Sequence, residues 1–200
     1  MKRRIEWTAL AMTLALTVLG HAHDVDSSAS SPVAVTQEDD TADIEAWPEN
    51  TQITARGLIS KYGPPDAVTN QRLIWNNRDP WSQITVLRDG VSDDFPTTHL
   101  NIVENTIHYN VPHEKSGEIA KFNSAVIVNR KTGTLSARSD GEEANILALN
   151  LADEIARGKR DVREARVFMR DTLRKSMAGK SSPYMDHLLF TGKEPRTSED

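Results

Sequence analysis

The sequence predicts an α+β domain with a small antiparallel sheet of about five strands and helices on one face. Three observations lead to this prediction. Short runs of β-branched and aromatic residues alternate with turn residues, which is typical of antiparallel strands joined by short connections. An amphipathic stretch with helical spacing precedes these runs. Two longer stretches with helical spacing follow near the C-terminus.

The domain opens with a helix that starts at Asn50 or Thr51, since either side chain can cap the free amide groups of a helix. Gly63 is expected to end this helix, and Pro64 and Pro65 prevent its continuation. We therefore place one folded domain at residues 50–179, followed by a C-terminal tail at residues 180–200.

The predicted strands cover residues 72–75, 83–87, 106–111, 125–129 and 134–138. Residues 89–96 are rich in Asp, Gly, Ser and Pro, so an irregular loop is expected there. Pro112 suits the first turn of a short helix. Gly133 permits the positive φ that a tight return between the last two strands requires.

Two helices are predicted to complete the domain. Apolar residues recur at helical spacing over residues 144–155, and Gly158 is a natural stop. Asp161 is expected to cap the second helix, with Glu164 three residues later as in a capping box. The buried side of this second helix is predicted to comprise Ala165, Phe168, Met169, Thr172, Leu173 and Met177.

The first helix and the strand after it resemble a known arrangement. Residues 58–66 (LISKYGPPD), followed by residues 73–75 (LIW), resemble the opening of small bacterial envelope domains of the outer-membrane-assembly lipoprotein and β-lactamase-inhibitor-like type. The chain departs from those families by lacking the lipoprotein cysteine and by carrying two long C-terminal helices. The resemblance implies an exported bacterial protein and supplies no functional residue.

The first 22 residues are predicted to be a cleaved signal peptide. Basic residues at positions 2–4 precede an apolar run at residues 9–20, shorter than the roughly 20 apolar residues that a membrane-spanning helix needs. Small residues place the cleavage after Ala22, and a cut after Gly20 is the alternative. The mature chain is expected to be periplasmic or secreted, with no transmembrane segment after cleavage.

Charge is distributed unevenly along the chain, whose formal net charge is −5. Residues 23–49 contain eight carboxylates and no lysine or arginine, and they are predicted to form a disordered acidic linker. Residues 157–180 contain nine basic and three acidic residues. Because the chain has no cysteine, it forms no disulfide, and burial of apolar surface must stabilise the domain.

The strongest candidate site is a row of arginines on the last helix. Arg163, Arg166, Arg170 and Arg174 are three or four residues apart, so they share one side of the helix. Guanidinium groups suit carboxylates and phosphates, and the row is a candidate dock for an anionic protein, an envelope component or the acidic linker itself. A solvated helix face is the alternative interpretation of the same pattern.

A second candidate is the histidine-bearing region. Its histidines could supply a general base or metal ligands for a small hydrolase or metal-dependent enzyme, provided that they converge in one pocket with nearby acids. The alternative is the wet face of a strand, since polar and apolar residues alternate around His108. The residues concerned are His99, His108, His113, Asp93, Asp94 and Glu114.

No catalytic residue, metal ligand or cofactor is assigned from the sequence. The amino group and imidazole of His23, at the predicted new N-terminus, suit copper, but they lie far in sequence from any further ligand. Nucleic acid is not expected as a partner, because the chain is acidic overall and carries no nucleic-acid-binding motif. The favoured hypothesis is an exported, non-enzymatic binding module.

Overall fold

The computed structural model describes residues 44–191. The predicted signal peptide, residues 23–43 of the predicted linker and residues 192–200 lie outside the described residues. No helix among residues 44–191 is long and apolar enough to cross a membrane.

The described residues form an antiparallel sheet and five α-helices, with two short 3₁₀ turns, Ile44–Ala46 and His113–Lys115. The strands are β1 (Ala67–Val68), β2 (Arg72–Arg78), β3 (Trp81–Asp93), β4 (His99–His108), β5 (Val126–Asn129) and β6 (Thr134–Ser139). The helices are α1 (Glu49–Tyr62), α2 (Ser116–Phe122), α3 (Glu142–Ala156), α4 (Val162–Met177) and α5 (Pro183–Asp186).

The strand order is β1-β2-β3-β4-β6-β5, and every neighbouring pair is antiparallel. Two adjacent rows of paired residues show how the sheet divides into two faces. One row is fully buried and consists of Trp75, Ile84, Asn105, Ala137 and Val126. The next row is mostly polar and consists of Asn76, Gln83, Thr106, Ser136 and Ile127. Side chains alternate along each strand, so the sheet has one core face and one polar face.

The α+β prediction with an antiparallel sheet is confirmed, but the sheet has six strands instead of five. The prediction of an irregular loop at residues 89–96 is wrong for its first half, because β3 continues to Asp93. Gly90 adopts a φ of 64°, and the register shifts between Val86 and Val91, so the strand kinks at a bulge and pairs again. The third predicted strand is displaced accordingly: β4 occupies His99–His108.

The two long C-terminal helices form where the sequence predicts them. The capping box of α4 is present: Asp161 Oδ1 accepts from the Glu164 amide at 2.7 Å, and Glu164 Oε2 accepts from the Asp161 amide at 3.1 Å. Met177, predicted to be buried, is 90% exposed because it is the last residue of α4 and extends beyond the packed surface. Gly133 has the predicted positive φ, 63°.

The folded domain begins before residue 50, where the sequence places its start. Helix α1 starts at Glu49, and the 3₁₀ turn Ile44–Ala46 precedes it. Trp47, assigned to the acidic linker by composition, is only 5% exposed and belongs to the hydrophobic core. Ile44 packs against the same core, so two apolar side chains anchor a segment that composition assigns to the linker.

Part of the predicted C-terminal tail also packs on the domain. Asn150, on α3, is buried, and its Nδ2 donates to the carbonyl oxygens of Tyr184 at 3.0 Å and His187 at 2.9 Å. Its Oδ1 accepts from the Leu189 amide at 2.7 Å. The ring of Phe190 meets that of Tyr109 edge-on, with centroids 5.3 Å apart. These contacts fix residues 183–190 against α3.

A buried carboxylate connects α1, β3 and α3. Glu142 is 9% exposed, and its Oε1 accepts from the Tyr62 hydroxyl at 2.5 Å and from Trp81 Nε1 at 2.7 Å. Its Oε2 accepts from Lys61 Nζ at 2.8 Å. Two effects raise the pKa of Tyr62: burial is the larger, and the hydrogen bond to Glu142 adds to it. Burial opposes the charge of Lys61, but the hydrogen bond and the charge of Glu142 outweigh it and raise the pKa of this ammonium.

These shifts predict a loss of stability at alkaline pH. Both groups bind their protons more tightly in the folded state, so their contribution is complete below their ordinary pKa values of 10.0 and 10.5 and is lost as the pH rises through the raised values. Urea denaturation between about pH 9 and about pH 11 should show this fall, and Glu142→Gln should make it shallower. Equal slopes for the two proteins would contradict the assignment.

Candidate functional site

The structure assigns different surroundings to the four predicted arginines of α4. Arg163, Arg170 and Arg174 are exposed, whereas Arg166 is partly buried. Arg166 Nη1 donates to the carbonyl oxygens of Lys121 at 3.1 Å and Phe122 at 2.8 Å. These carbonyls belong to the last turn of α2, which lacks further intrahelical donors. Arg166 therefore caps α2.

Arg166 also contacts the connection between β3 and β4. Its guanidinium carbon lies 3.9 Å from the centroid of the Phe95 ring, in a cation–π contact. The Phe95 ring in turn meets Phe122 edge-on at 6.5 Å. Arg166 is thus part of the fold, and it is less available to a partner than the other three arginines.

The three exposed arginines differ in their ion pairing. Arg174 pairs with Asp171 at 3.2 Å, and both side chains are well exposed, so this pair contributes little to stability. Within residues 44–191, the side chains of Arg163 and Arg170 form no hydrogen bond or ion pair. Arg170 and Arg163 are therefore similar in exposure and in pairing, although they lie two turns apart on α4.

Arg170 and Arg174 line a cleft with a volume of about 490 Å³, whereas Arg163 does not. One wall of the cleft is the C-terminal half of α4. The other walls are the β3–β4 connection and the β6–α3 connection. Its volume lies within the ~300–1,000 Å³ that is usual for ligand pockets. We call it the methionine cleft, because Met169, Met177 and Met185 all line it.

The apolar part of the methionine cleft comes mainly from α4. Met169, Leu173 and Met177 are four residues apart, so they form a row along the helix, next to the row of Arg170 and Arg174. Met169 is 4% exposed, whereas Met177 is 90% exposed, so this row runs from the floor of the cleft to its open end. Among residues 44–191 there is no methionine outside the lining of this cleft.

The wall formed by the β6–α3 connection and the start of α3 carries carboxylates. Asp140 precedes α3, Glu143 lies in its first turn, and both are exposed. Arg138 also lines the cleft, but its Nε is paired with Glu104 at 2.5 Å. The methionine cleft therefore has an apolar floor, a basic rim on α4 and an acidic rim on the β6–α3 connection.

A second cleft, of about 610 Å³, adjoins the methionine cleft and shares Phe95 and Arg138 with it. It is more polar, and its charged groups are already engaged. Asp93 Oδ1 accepts from the Phe95 amide at 2.9 Å, and its Oδ2 accepts from Asn101 Nδ2 at 3.2 Å. Arg166 lines this second cleft while capping α2. We regard the second cleft as less suited to a ligand.

The histidines predicted as an alternative site do not converge. His99 and His108 are the first and last residues of β4, which places them about 30 Å apart at ~3.3 Å per residue. His113 and Glu114 lie in the 3₁₀ turn after that strand, and both are exposed. His99 lines the methionine cleft, where its Nδ1 contacts the Thr97 carbonyl oxygen at 2.8 Å.

Within residues 44–191 no group of three or more His, Cys, Asp or Glu residues is placed to hold a metal ion. Asp94 is engaged by the Thr98 hydroxyl, which donates to Asp94 Oδ1 at 3.1 Å. The predicted enzyme depended on convergence of these groups in one pocket. The described residues do not bring these groups together in one pocket, so their geometry does not support an enzyme that uses them.

No family model, curated protein or solved structure matches the chain.

Proposed function

We propose that this protein is an exported, non-enzymatic binding module that takes an anionic partner, a protein or an envelope component, at the methionine cleft. One observation carries the proposal: Arg170 and Arg174 stand on the rim of a cleft of about 490 Å³ whose floor is apolar. A site with this composition suits a ligand that has both carboxylate or phosphate groups and apolar surface.

Export is the part of the proposal that rests on the sequence. Basic residues at positions 2–4, the apolar run at residues 9–20 and the small residues before position 23 together support a signal peptide. The absence of cysteine means that the domain needs no oxidising compartment for its stability. The resemblance of residues 58–75 to envelope domains agrees with a periplasmic or secreted location.

The surroundings of the four arginines support a binding role for two of them. Arg170 and Arg174 line the cleft, Arg166 caps α2, and Arg163 lies outside the cleft. Exposed guanidinium groups at the rim of a cleft guide an anionic partner and fix its position, while apolar contacts on the floor provide most of the affinity. Reversing the two rim charges should therefore reduce binding without unfolding the domain.

The test is crosslinked capture from a bacterial envelope extract. Arg170→Glu/Arg174→Glu should reduce capture of the partner by at least about tenfold relative to the wild type. Arg163→Glu, an exposed arginine on the same helix, should leave capture unchanged, and circular dichroism should show that all three proteins are folded. Equal capture by the wild type and the double variant would overturn the proposal.

A further inference from the structure

We propose that the ligand of the methionine cleft is an extended peptide segment in which acidic and apolar side chains alternate. The inference rests on the proposed function, because it assigns a chemical class to the partner of the same site. Three features of the cleft lead to it: the spacing of Arg170 and Arg174, the apolar side chains that line the cleft, and the acidic residues on another of its walls.

The spacing of the arginines matches an extended chain. Arg170 and Arg174 are four residues apart on α4, which is about 6 Å along the helix axis at ~1.5 Å per residue. In an extended peptide, side chains at positions i and i+2 point the same way and are about 6.6 Å apart. Two carboxylates at i and i+2 can therefore meet the two guanidinium groups at once.

The apolar row has the same repeat. Met169, Leu173 and Met177 are also four residues apart on α4, and the row runs from the buried Met169 to the exposed Met177. In an extended peptide, the side chains at i+1 and i+3 lie on the side opposite to the acidic ones, so they would contact apolar residues from the other walls of the cleft, such as Phe95 and Met185. Methionine side chains are flexible and polarizable, so they adapt to apolar groups of different shape.

The acidic rim argues against ligands that carry only negative charge. Asp140 and Glu143 lie on a different wall of the cleft from the arginines, and like charges repel a polyphosphate or a dense layer of anionic headgroups. An alternating peptide directs its carboxylates to one side only. The exposed backbone amides of such a peptide can also donate hydrogen bonds to Asp140 and Glu143.

The test is fluorescence anisotropy with the full chain and two labelled, terminally blocked peptides. The first has the alternating sequence Glu-Leu-Glu-Leu-Glu-Leu, and the second has the same composition in blocks, Glu-Glu-Glu-Leu-Leu-Leu. The alternating peptide should bind the wild type and Arg163→Glu equally. It should bind Arg170→Glu/Arg174→Glu at least about tenfold more weakly, and the block peptide should bind the wild type more weakly by a similar factor.

Two further arms separate the peptide from other anions. Phosphatidylglycerol vesicles and inorganic polyphosphate should not displace the alternating peptide from the wild-type protein. Displacement by either, in a manner that depends on Arg170 and Arg174, would overturn the peptide assignment and leave the proposed binding role intact. Equal affinity for the two peptides, or binding of neither, would also overturn the peptide assignment. The capture experiment tests the proposed binding role independently of this result.

Discussion

Replacing Glu142 with alanine should lower the free energy of unfolding by about 2–3 kcal/mol. The Glu142 carboxylate accepts three hydrogen bonds, from Lys61, Tyr62 and Trp81. In the variant, the buried indole N–H of Trp81 would retain only the Tyr62 hydroxyl oxygen, 3.1 Å away, as a partner. Lys61 is more than half exposed, so it regains water and adds little to the loss. Urea denaturation monitored by tryptophan fluorescence measures the difference.

Glu143 provides a matched control for this prediction. It is the neighbouring glutamate in the first turn of α3, so it has a similar position in the helix dipole, but it is exposed. Glu143→Ala should change the free energy of unfolding by no more than about 0.5 kcal/mol. If Glu142→Ala were equally mild, the buried carboxylate would not connect α1, β3 and α3 as described.

Replacing Trp47 with alanine should lower the free energy of unfolding by about 3–4 kcal/mol. The Trp47 side chain is 5% exposed and lies within the hydrophobic core, ahead of the first turn of α1. Removing it loses buried apolar area and leaves a cavity beneath the N-terminal segment. Thermal or urea denaturation of the full chain measures the loss.

Ile53 provides the control, because it lies on α1 and is 65% exposed. Ile53→Ala should change stability by no more than about 0.5 kcal/mol. If Trp47→Ala had the same free energy of unfolding as the wild type, the segment before residue 49 would be the linker that composition predicts.

Local signals predicted the helical part of the fold well. The apolar spacing of α3 and the capping residues Asp161 and Glu164 act within one or two turns of the chain, so sequence alone locates both helices. The hairpin at Gly133 was predicted for the same reason, since a positive φ is a local requirement.

The sequence failed where a distant contact decides the structure. Residues 89–93 have the composition of a loop, yet residues 91–93 pair with β4 in a shifted register after the bulge at Gly90. Trp47 stands in an acidic segment, and only the core that it enters shows its role. Both errors come from tertiary packing that overrides local composition.

Helical spacing groups the four candidate arginines but does not distinguish their surroundings. Helical spacing placed Arg163, Arg166, Arg170 and Arg174 on one side of α4, but it could not separate the arginine that caps α2 from the two that line a cleft. The sequence does not predict the methionine cleft, because its walls come from segments far apart in sequence and because the helical pattern assigns Met169 and Met177 to the buried side of α4. The apolar side chain of Met185, within the predicted tail, is the sequence feature that could have indicated contact between this tail and the domain.

The most direct test of the methionine cleft is NMR of the full chain with ¹³C-labelled methionine methyl groups. Residues 44–191 contain Met169, Met177 and Met185 as their methionines, and all three line the cleft. Addition of the captured partner should shift these three methyl signals in the wild type, and the shifts should be lost in Arg170→Glu/Arg174→Glu. Binding that leaves the three signals unchanged would contradict the account and place the partner on another surface.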